Sequence, residues 1–277
     1  MPAGAAVNDM RVACIQMCSG DDPESNLDQA AVLLGQAADE QARLAVLPEN
    51  FSFMSMDDAD KHRVVETLEN SRVMAFLADQ ARRLGVYIVG GTVALKSDTP
   101  PGLYNACPVF GADGACLAIY HKMHLFEVTL PTEYYRESDT AVPGERPVIA
   151  SVGDWRVGLS ICYDLRFPEL YRHYSAHGAH ILTVPSAFTV PTGRAHWQTL
   201  LRARAIENQC FVLAAAQYGR HPGGRRTWGH SMVLDPWGDV LAEVPEGNGV
   251  AVADLHTSRL EEVRAILPAL QHRRMNS

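Results

Sequence analysis

The chain has 277 residues, 47% of them hydrophobic and 20% charged, which is ordinary for a globular protein with a sizeable core. Its net charge of −8, with no basic stripe along the sequence, excludes a duplex-binding surface, so no nucleic-acid partner is expected. No apolar run reaches ~18 residues, and MPAGAAVNDM has no positive n-region or apolar h-region, so neither a membrane span nor a signal peptide is expected.

Residues 1–10 read as a flexible tail, and RVACIQMC (11–18) as the first strand. An amphipathic helix runs from Asn26 to about Gln41, followed by a buried strand, ARLAVLPE (42–49), whose apolar run ends at Pro48-Glu49. A helix from Ser71 to Leu84 stops at Gly85, the residue type that closes helices in the left-handed region. VYIVGGTVAL (86–95) is the next strand. Hairpins then take over: 103–122 around Gly-Ala-Asp-Gly, 148–162 around Gly-Asp, and 231–244 around Asp-Pro-Trp-Gly. The first and third share a strand–acidic turn–strand layout, a weak hint of internal symmetry. Pro168 suits the first turn of a helix over 167–179. HILTVPSAF (180–188) is a strand, 195–209 a helix, CFVLAAAQ (210–217) a fully buried strand, and Ser258–Ile266 a last helix. No linker or low-complexity break interrupts 11–277, so one domain of sheets with helices on the outer faces is the economical reading. A doubly wound nucleotide fold is the competitor, but no GxGxxG follows an early strand.

The six cysteines, at 14, 18, 107, 116, 162 and 210, form no CxxC pair and mostly sit in apolar runs, the usage of a reducing compartment; a cytoplasmic location is expected. Arg225-Arg226 and the tail 271–274 are the densest basic spots and read as solvated loop and end residues. His173, His177 and His180 have metal-like spacing, but no acidic partner completes an HExxH motif, and no metal is expected there.

Three chemically capable residues end apolar strand runs: Glu49 in LAVLPEN, Lys122 in LAIYHKMH and Cys162 in GLSICYD. Singly, each has a dull explanation as a turn carboxylate, a strand-end charge or a core thiol. A sheet, however, brings the ends of neighbouring strands to one rim, where sites are built. Together the three supply a covalent acyl transfer. A thiol of pKa ~8.5 needs a base, a carboxylate held beside it can serve, and an ammonium can stabilise the oxyanion. The N–H of Tyr163, next after the thiol, is a second candidate donor.

These residues sit in motifs that resemble the nitrilase superfamily of carbon–nitrogen hydrolases: LAVLPENF at Glu49, IYHKMHLFEV at Lys122 and, most specifically, LSICYDLRFPELYR at Cys162. The likeness spans residues 11 to 274. It implies a four-layer αββα sandwich, a Glu–Lys–Cys triad, no cofactor, a small amide substrate and a homodimer or larger homo-oligomer. It also implies a second glutamate after the lysine, which Glu137 in YYRES fits, with Glu133 as the nearby alternative. PSAFTVPTGRAHWQTLLRARAIENQCFVLAAAQYGRH (185–221), GHSMVLDPWGDVLAE (229–243) and LPALQHRR (267–274) resemble the branch hydrolysing deaminated glutathione to 2-oxoglutarate and cysteinylglycine. The alternatives are an omega-amidase acting on 2-oxoglutaramate, or another superfamily amidase or N-carbamoyl hydrolase.

For the substrate pocket, Arg166 suits a carboxylate by its fork geometry, against an ion pair with Asp164 or Glu169. Phe188, Thr189, Thr192 and His196 follow a strand end and are candidate pocket residues; Trp197 beside them reads equally as helix packing. Asp164 reads as a residue that fixes the turn after the thiol. A papain-type pair would instead need His121, His124 or His196 as base. A member retained only for assembly would usually have lost a triad residue, and all three are present.

Overall fold

The computed structural model describes residues 8–55, 57–129 and 134–275, without the side chains of Asp58 and Tyr134. Residues 1–7 of the expected tail lie outside these, as does Glu133; Met10, also counted with the tail, already belongs to the first strand. In chain order the elements are β1 (Met10–Gln16), α1 (Pro23–Asp39), β2 (Leu44–Val46), α2 (Arg72–Leu84), β3 (Tyr87–Val89), β4 (Val93–Lys96), β5 (Leu103–Phe110) and β6 (Cys116–His121). After them come a ribbon of β7 (Glu127–Thr129) and β8 (Tyr134–Arg136), then β9 (Ile149–Val152), β10 (Trp155–Leu159), α3 (Pro168–Ala176), β11 (Ile181–Thr183), α4 (Val190–Asn208) and β12 (Phe211–Ala214). A second ribbon, β13 (Tyr218–Arg220) with β14 (Arg226–Trp228), precedes β15 (Ser231–Leu234), β16 (Val240–Val244), β17 (Gly249–Leu255) and α5 (Thr257–Ile266).

The long strands form two sheets, β17-β1-β2-β3-β5 with β4 and β6 on β5, and β16-β15-β12-β11-β10-β9. In the first, β1, β2 and β3 are parallel and their flanking strands antiparallel. In the second, β10, β11 and β12 are parallel between antiparallel β9 and β15. Each parallel trio is crossed by two helices, and each ends in a hairpin: β5–β6 in one sheet, β15–β16 in the other. These are the hairpins whose shared layout hinted at symmetry, and they occupy equivalent places.

The alternation along β1 decides the layering. Val12 and Cys14 join the core shared with β10, β11 and β12, whereas Ala13 and Ile15 pack with α1 and α2. Successive strand residues point to opposite faces, so the sheets meet face to face, with α1 and α2 outside one and α3 and α4 outside the other. This is the expected αββα sandwich. Because both faces of the parallel strands are covered, they read as unbroken apolar runs.

Several boundaries differ from the sequence expectation. VYIVGGTVAL is two strands, broken at Gly90-Gly91, where Gly91 has φ +55 and a Cβ would stand 2.2 Å from the Pro48 carbonyl oxygen. α4 starts at Val190 and not Ala195, since Pro191 fits the first turn without its N–H. α1 starts at Pro23, capped by Asp22, while Asn26 binds the Gly20 backbone and the Ser52 carbonyl instead. Among the described residues no helix is long and apolar enough to cross a membrane.

Candidate active site

The three strand ends do converge. Glu49 lies just past β2, where Pro48 ends the strand and Asn50 turns the chain with φ 57. Its backbone carbonyl accepts from Gln217 Nε2 at 3.1 Å, a bond reaching across from the β12 end of the second sheet. Lys122 directly follows β6; its N–H donates to Asn105 O at 3.0 Å and its carbonyl accepts the Gly144 N–H at 2.8 Å. Gly144 is required there, because a Cβ would stand 2.1 Å from His121 O.

Cys162 opens a 3-10 turn, Cys162–Arg166, just beyond β10, and has φ 47, a strained region for a residue with a Cβ. Its N–H donates to Pro185 O at 2.8 Å, tying it to the end of β11. The wholly buried Asp164 holds the turn. It accepts from Ile161 N–H (2.8 Å) and Tyr120 OH (2.8 Å) through Oδ2, and from His124 N–H (3.0 Å) through Oδ1. Glu137 arrives from the loop after β8, its N–H donating to Phe126 O at 2.9 Å.

The side chains form a sealed ionic cluster. Lys122 Nζ donates to Glu49 Oε1 at 2.8 Å and to Glu137 Oε2 at 2.7 Å; Lys122 is 2% exposed and each glutamate 4%. Burial works against the Lys122 charge, but Glu137 and then Glu49 outweigh it and hold the ammonium well above the ordinary lysine value. Burial alone would raise Glu137; the charges of Lys122 and Lys61 and the Phe126 N–H bring it below the usual carboxylate range. For Cys162, burial pushes the thiol far up, Glu49 adds to this, and Lys122 and the Ala187 N–H oppose it. Together these influences favour the neutral thiol of Cys162 beside Glu49. A thiol beside a carboxylate and an ammonium can lose its proton as it attacks, while the ammonium meets the charge that develops on the attacked carbonyl.

One cavity is lined by Glu49, Lys122, Glu137 and Cys162 together with Tyr163, Arg166, Phe188, Thr189 and Thr192. His196 is the exception among the expected pocket residues: it is exposed on α4, outside the lining, and touches the site only through Arg166 Nη1 at 3.2 Å. It sits one helical turn, about 6 Å, along α4 from Thr192 on the same face, which carries it past the rim of the cavity. Arg166 forms no ion pair among the described residues; its guanidinium lies over Phe188 (5.3 Å) and Tyr163 (5.7 Å). Trp197 is packing, tilted against Phe188 and donating to His230 O.

The histidines of a papain-type pair are elsewhere. His124 Nδ1 is 2.7 Å from Asp164 Oδ1, His121 stacks on Tyr104, and neither lines the cavity. His173 and His177 stack on each other, and His180 packs edge-on to Trp155. Arg225 corrects the reading of a solvated basic loop: it is half-buried over Tyr135 (4.8 Å) and lines the cavity, as do Lys61, Asn50 and Phe126. Asn105, buried beside Glu49 and Glu137, was not among the expected residues, because its position inside an ordinary strand pattern carries no local signal.

The Carbon-nitrogen hydrolase family model matches residues 11–265. Deaminated glutathione amidase of Synechocystis is 43% identical over 270 residues, covering 94% of this chain and 97% of that protein. The crystal structure of Saccharomyces cerevisiae Nit3, a member of branch 10 of the nitrilase superfamily, superposes with a TM-score of 0.87 at 32% identity, covering 97% of each chain. That of the C. elegans NitFhit protein gives 0.87 at 35% identity over 98% of this chain, which spans only 66% of that longer one. With two sheets, a sealed Glu–Lys–Glu cluster and a cysteine at its mouth, the chain belongs to the carbon–nitrogen hydrolase family of the nitrilase superfamily.

Proposed function

We propose that the protein is an amidase that cleaves a linear, carboxylate-bearing amide through a thioester on Cys162, and that its substrate is deaminated glutathione. The Cys162 sulfur attacks the amide carbon while its proton passes to Glu49. Lys122 and the Tyr163 N–H bind the oxygen that becomes negative. Glu49 then protonates the departing nitrogen as the C–N bond breaks, leaving cysteinylglycine free and the 2-oxoglutarate unit on sulfur. Water, deprotonated by Glu49, opens the thioester, and Glu137 holds Lys122 in place. The cycle is proton movement and charge stabilisation, for which no cofactor is invoked.

The observation that carries this reading is the cluster of Glu49, Lys122 and Glu137 opening, with Cys162, on a single cavity. The substrate is supported by the Synechocystis relative's name and by the cationic lining of Lys61, Arg166 and Arg225, which complements a substrate with carboxylates. The cysteine usage supports a cytoplasmic location, and the family likeness supports residues 11–277 working as one domain within a homodimer. The test offers deaminated glutathione, 2-oxoglutaramate and a simple nitrile to the purified protein and follows release of 2-oxoglutarate or ammonia. Deaminated glutathione is expected to turn over fastest, and Cys162→Ala and Glu49→Gln to abolish turnover. Faster cleavage of 2-oxoglutaramate would move the substrate to the omega-amidase reading; undiminished turnover in either variant would remove the catalytic assignment.

A further inference from the structure

We infer that Asn105 is a positioning residue that decides which oxygen of Glu49 faces the nucleophile. The inference rests on the reading of Glu49 as the base. Asn105, on β5, is buried, and its Nδ2 donates twice: to Glu49 Oε1 at 3.0 Å and to Glu137 Oε1 at 2.9 Å. Its carbonyl also accepts the Lys122 N–H at 3.0 Å, so one residue touches every charged member of the cluster.

The amide's orientation follows from its partners, since the reversed amide would aim its oxygen at two carboxylates. The distribution of donors over Glu49 is asymmetric. Lys122 Nζ and Asn105 Nδ2 both bind Oε1, which leaves Oε2 as the oxygen without either donor. On Glu137 the donors are divided: Asn105 takes Oε1, and Lys122 with the Phe126 N–H takes Oε2, so that carboxylate is held at both oxygens. One ammonium between two buried carboxylates leaves an excess negative charge, and carboxylates so placed tend to share a proton. Asn105 supplies N–H donors to both without adding charge. It keeps them apart as separate acceptors, one anchored and one with an oxygen for proton transfer. The other titratable groups facing the cluster are the Cys162 thiol and the lining cations Lys61, Arg166 and Arg225, and none of them is altered by substituting Asn105.

The test compares Asn105→Asp and Asn105→Ser with the parent and with Glu49→Gln. The readouts are kcat and KM over pH on deaminated glutathione, and the pH dependence of iodoacetamide alkylation at the Cys162 peptide. Asn105→Asp puts an acceptor where a double donor stood. We expect kcat to fall about 10- to 100-fold, within the roughly 10²–10⁴-fold worth of a positioned base. The acid limbs of turnover and of alkylation should rise by about one pH unit, with KM within about threefold. Asn105→Ser, which retains one donor, should recover part of kcat and serves alone if the aspartate variant does not fold. Parent-like limbs in a folded variant, or a loss confined to KM or to thermal stability, would overturn the inference. Turnover surviving in Glu49→Gln would instead remove the base itself, so the two failures are separable.

Discussion

Asp164 Oδ2 accepts the Ile161 N–H at 2.8 Å, so a carboxylate two residues after Cys162 ties down the backbone one residue before it. The loop this closes contains Cys162 at φ 47, and the same carboxylate takes Tyr120 OH and the His124 N–H from the β6 side. The cysteine is thus presented by a turn whose strain is held by a buried acceptor rather than by the thiol's own contacts. Asp164→Ala leaves those donors without their partner and should cost about 2–4 kcal/mol. Urea denaturation would measure it, and a midpoint like the parent's would show that the turn is held by something else.

Lys122→Met removes the cation that binds both buried glutamates, leaving them without the charge they share. A loss of about 3–5 kcal/mol is expected at neutral pH. The pH sign follows from the two shifts. Glu137, held low in the folded state, contributes stability above its unfolded value near about pH 4.3, lost as pH falls through the lower folded value. Lys122, held high, contributes fully below about pH 10.4 and loses its contribution as pH rises through its folded value. Neither window reaches neutrality. Parent melting temperature should therefore be insensitive to this cluster between about pH 5.5 and 9, whereas the Lys122→Met deficit should shrink on acidification. A deficit independent of pH would contradict the ionic account.

Because burial and Glu49 both push the Cys162 thiol up, titration should show no thiolate absorbance at this residue through the neutral range. The difference spectrum between parent and Cys162→Ser reads this directly. A thiolate step near neutrality would mean a preformed ion pair instead of proton transfer during attack.

Arg166 stands on two aromatic faces with no carboxylate partner among the described residues. Arg166→Ala should raise KM for deaminated glutathione about 10- to 100-fold while kcat changes less than about threefold, and Arg166→Lys should restore little because the bidentate fork is gone. An equal rise in KM with an uncharged amide would argue for packing in place of carboxylate binding.

Gly144→Ala would drive a Cβ into the His121 carbonyl, beside the bond from the Gly144 N–H to Lys122 O. The expected cost is about 1–3 kcal/mol with a disproportionate fall in kcat, since Lys122 itself is displaced. Thermal melting and steady-state kinetics together check it; a destabilised protein with parent kcat would show that Lys122 tolerates the shift.

Much of this was legible along the chain. The apolar runs marked the buried strands because both faces of each parallel trio are covered, and Ser71 with Gly85 bounded α2 through capping chemistry that is local. The strand-end positions of Glu49, Lys122 and Cys162 also follow from local pattern, since each apolar run has a visible end. Residues whose role depends on another segment were not legible. Asn105 is an unremarkable polar residue within β5 until the fold sets Glu49 and Glu137 against its amide. Arg225 looks like loop charge until β13 and β14 bring it to the cavity, and His196 looks like its neighbours until α4 carries it one turn past the cavity.

The sequence by itself therefore determined most of the elements and a class of sheets with helices outside them, because periodicity, capping and turn chemistry are interactions between near neighbours, and its motifs named the candidate reacting groups. Only the tertiary structure decided the hydrogen-bond geometry. Which oxygen of Glu49 carries the Lys122 and Asn105 bonds, and which cations line the cavity, depend on side chains brought together from segments far apart in the chain, and no local pattern encodes a distance between them.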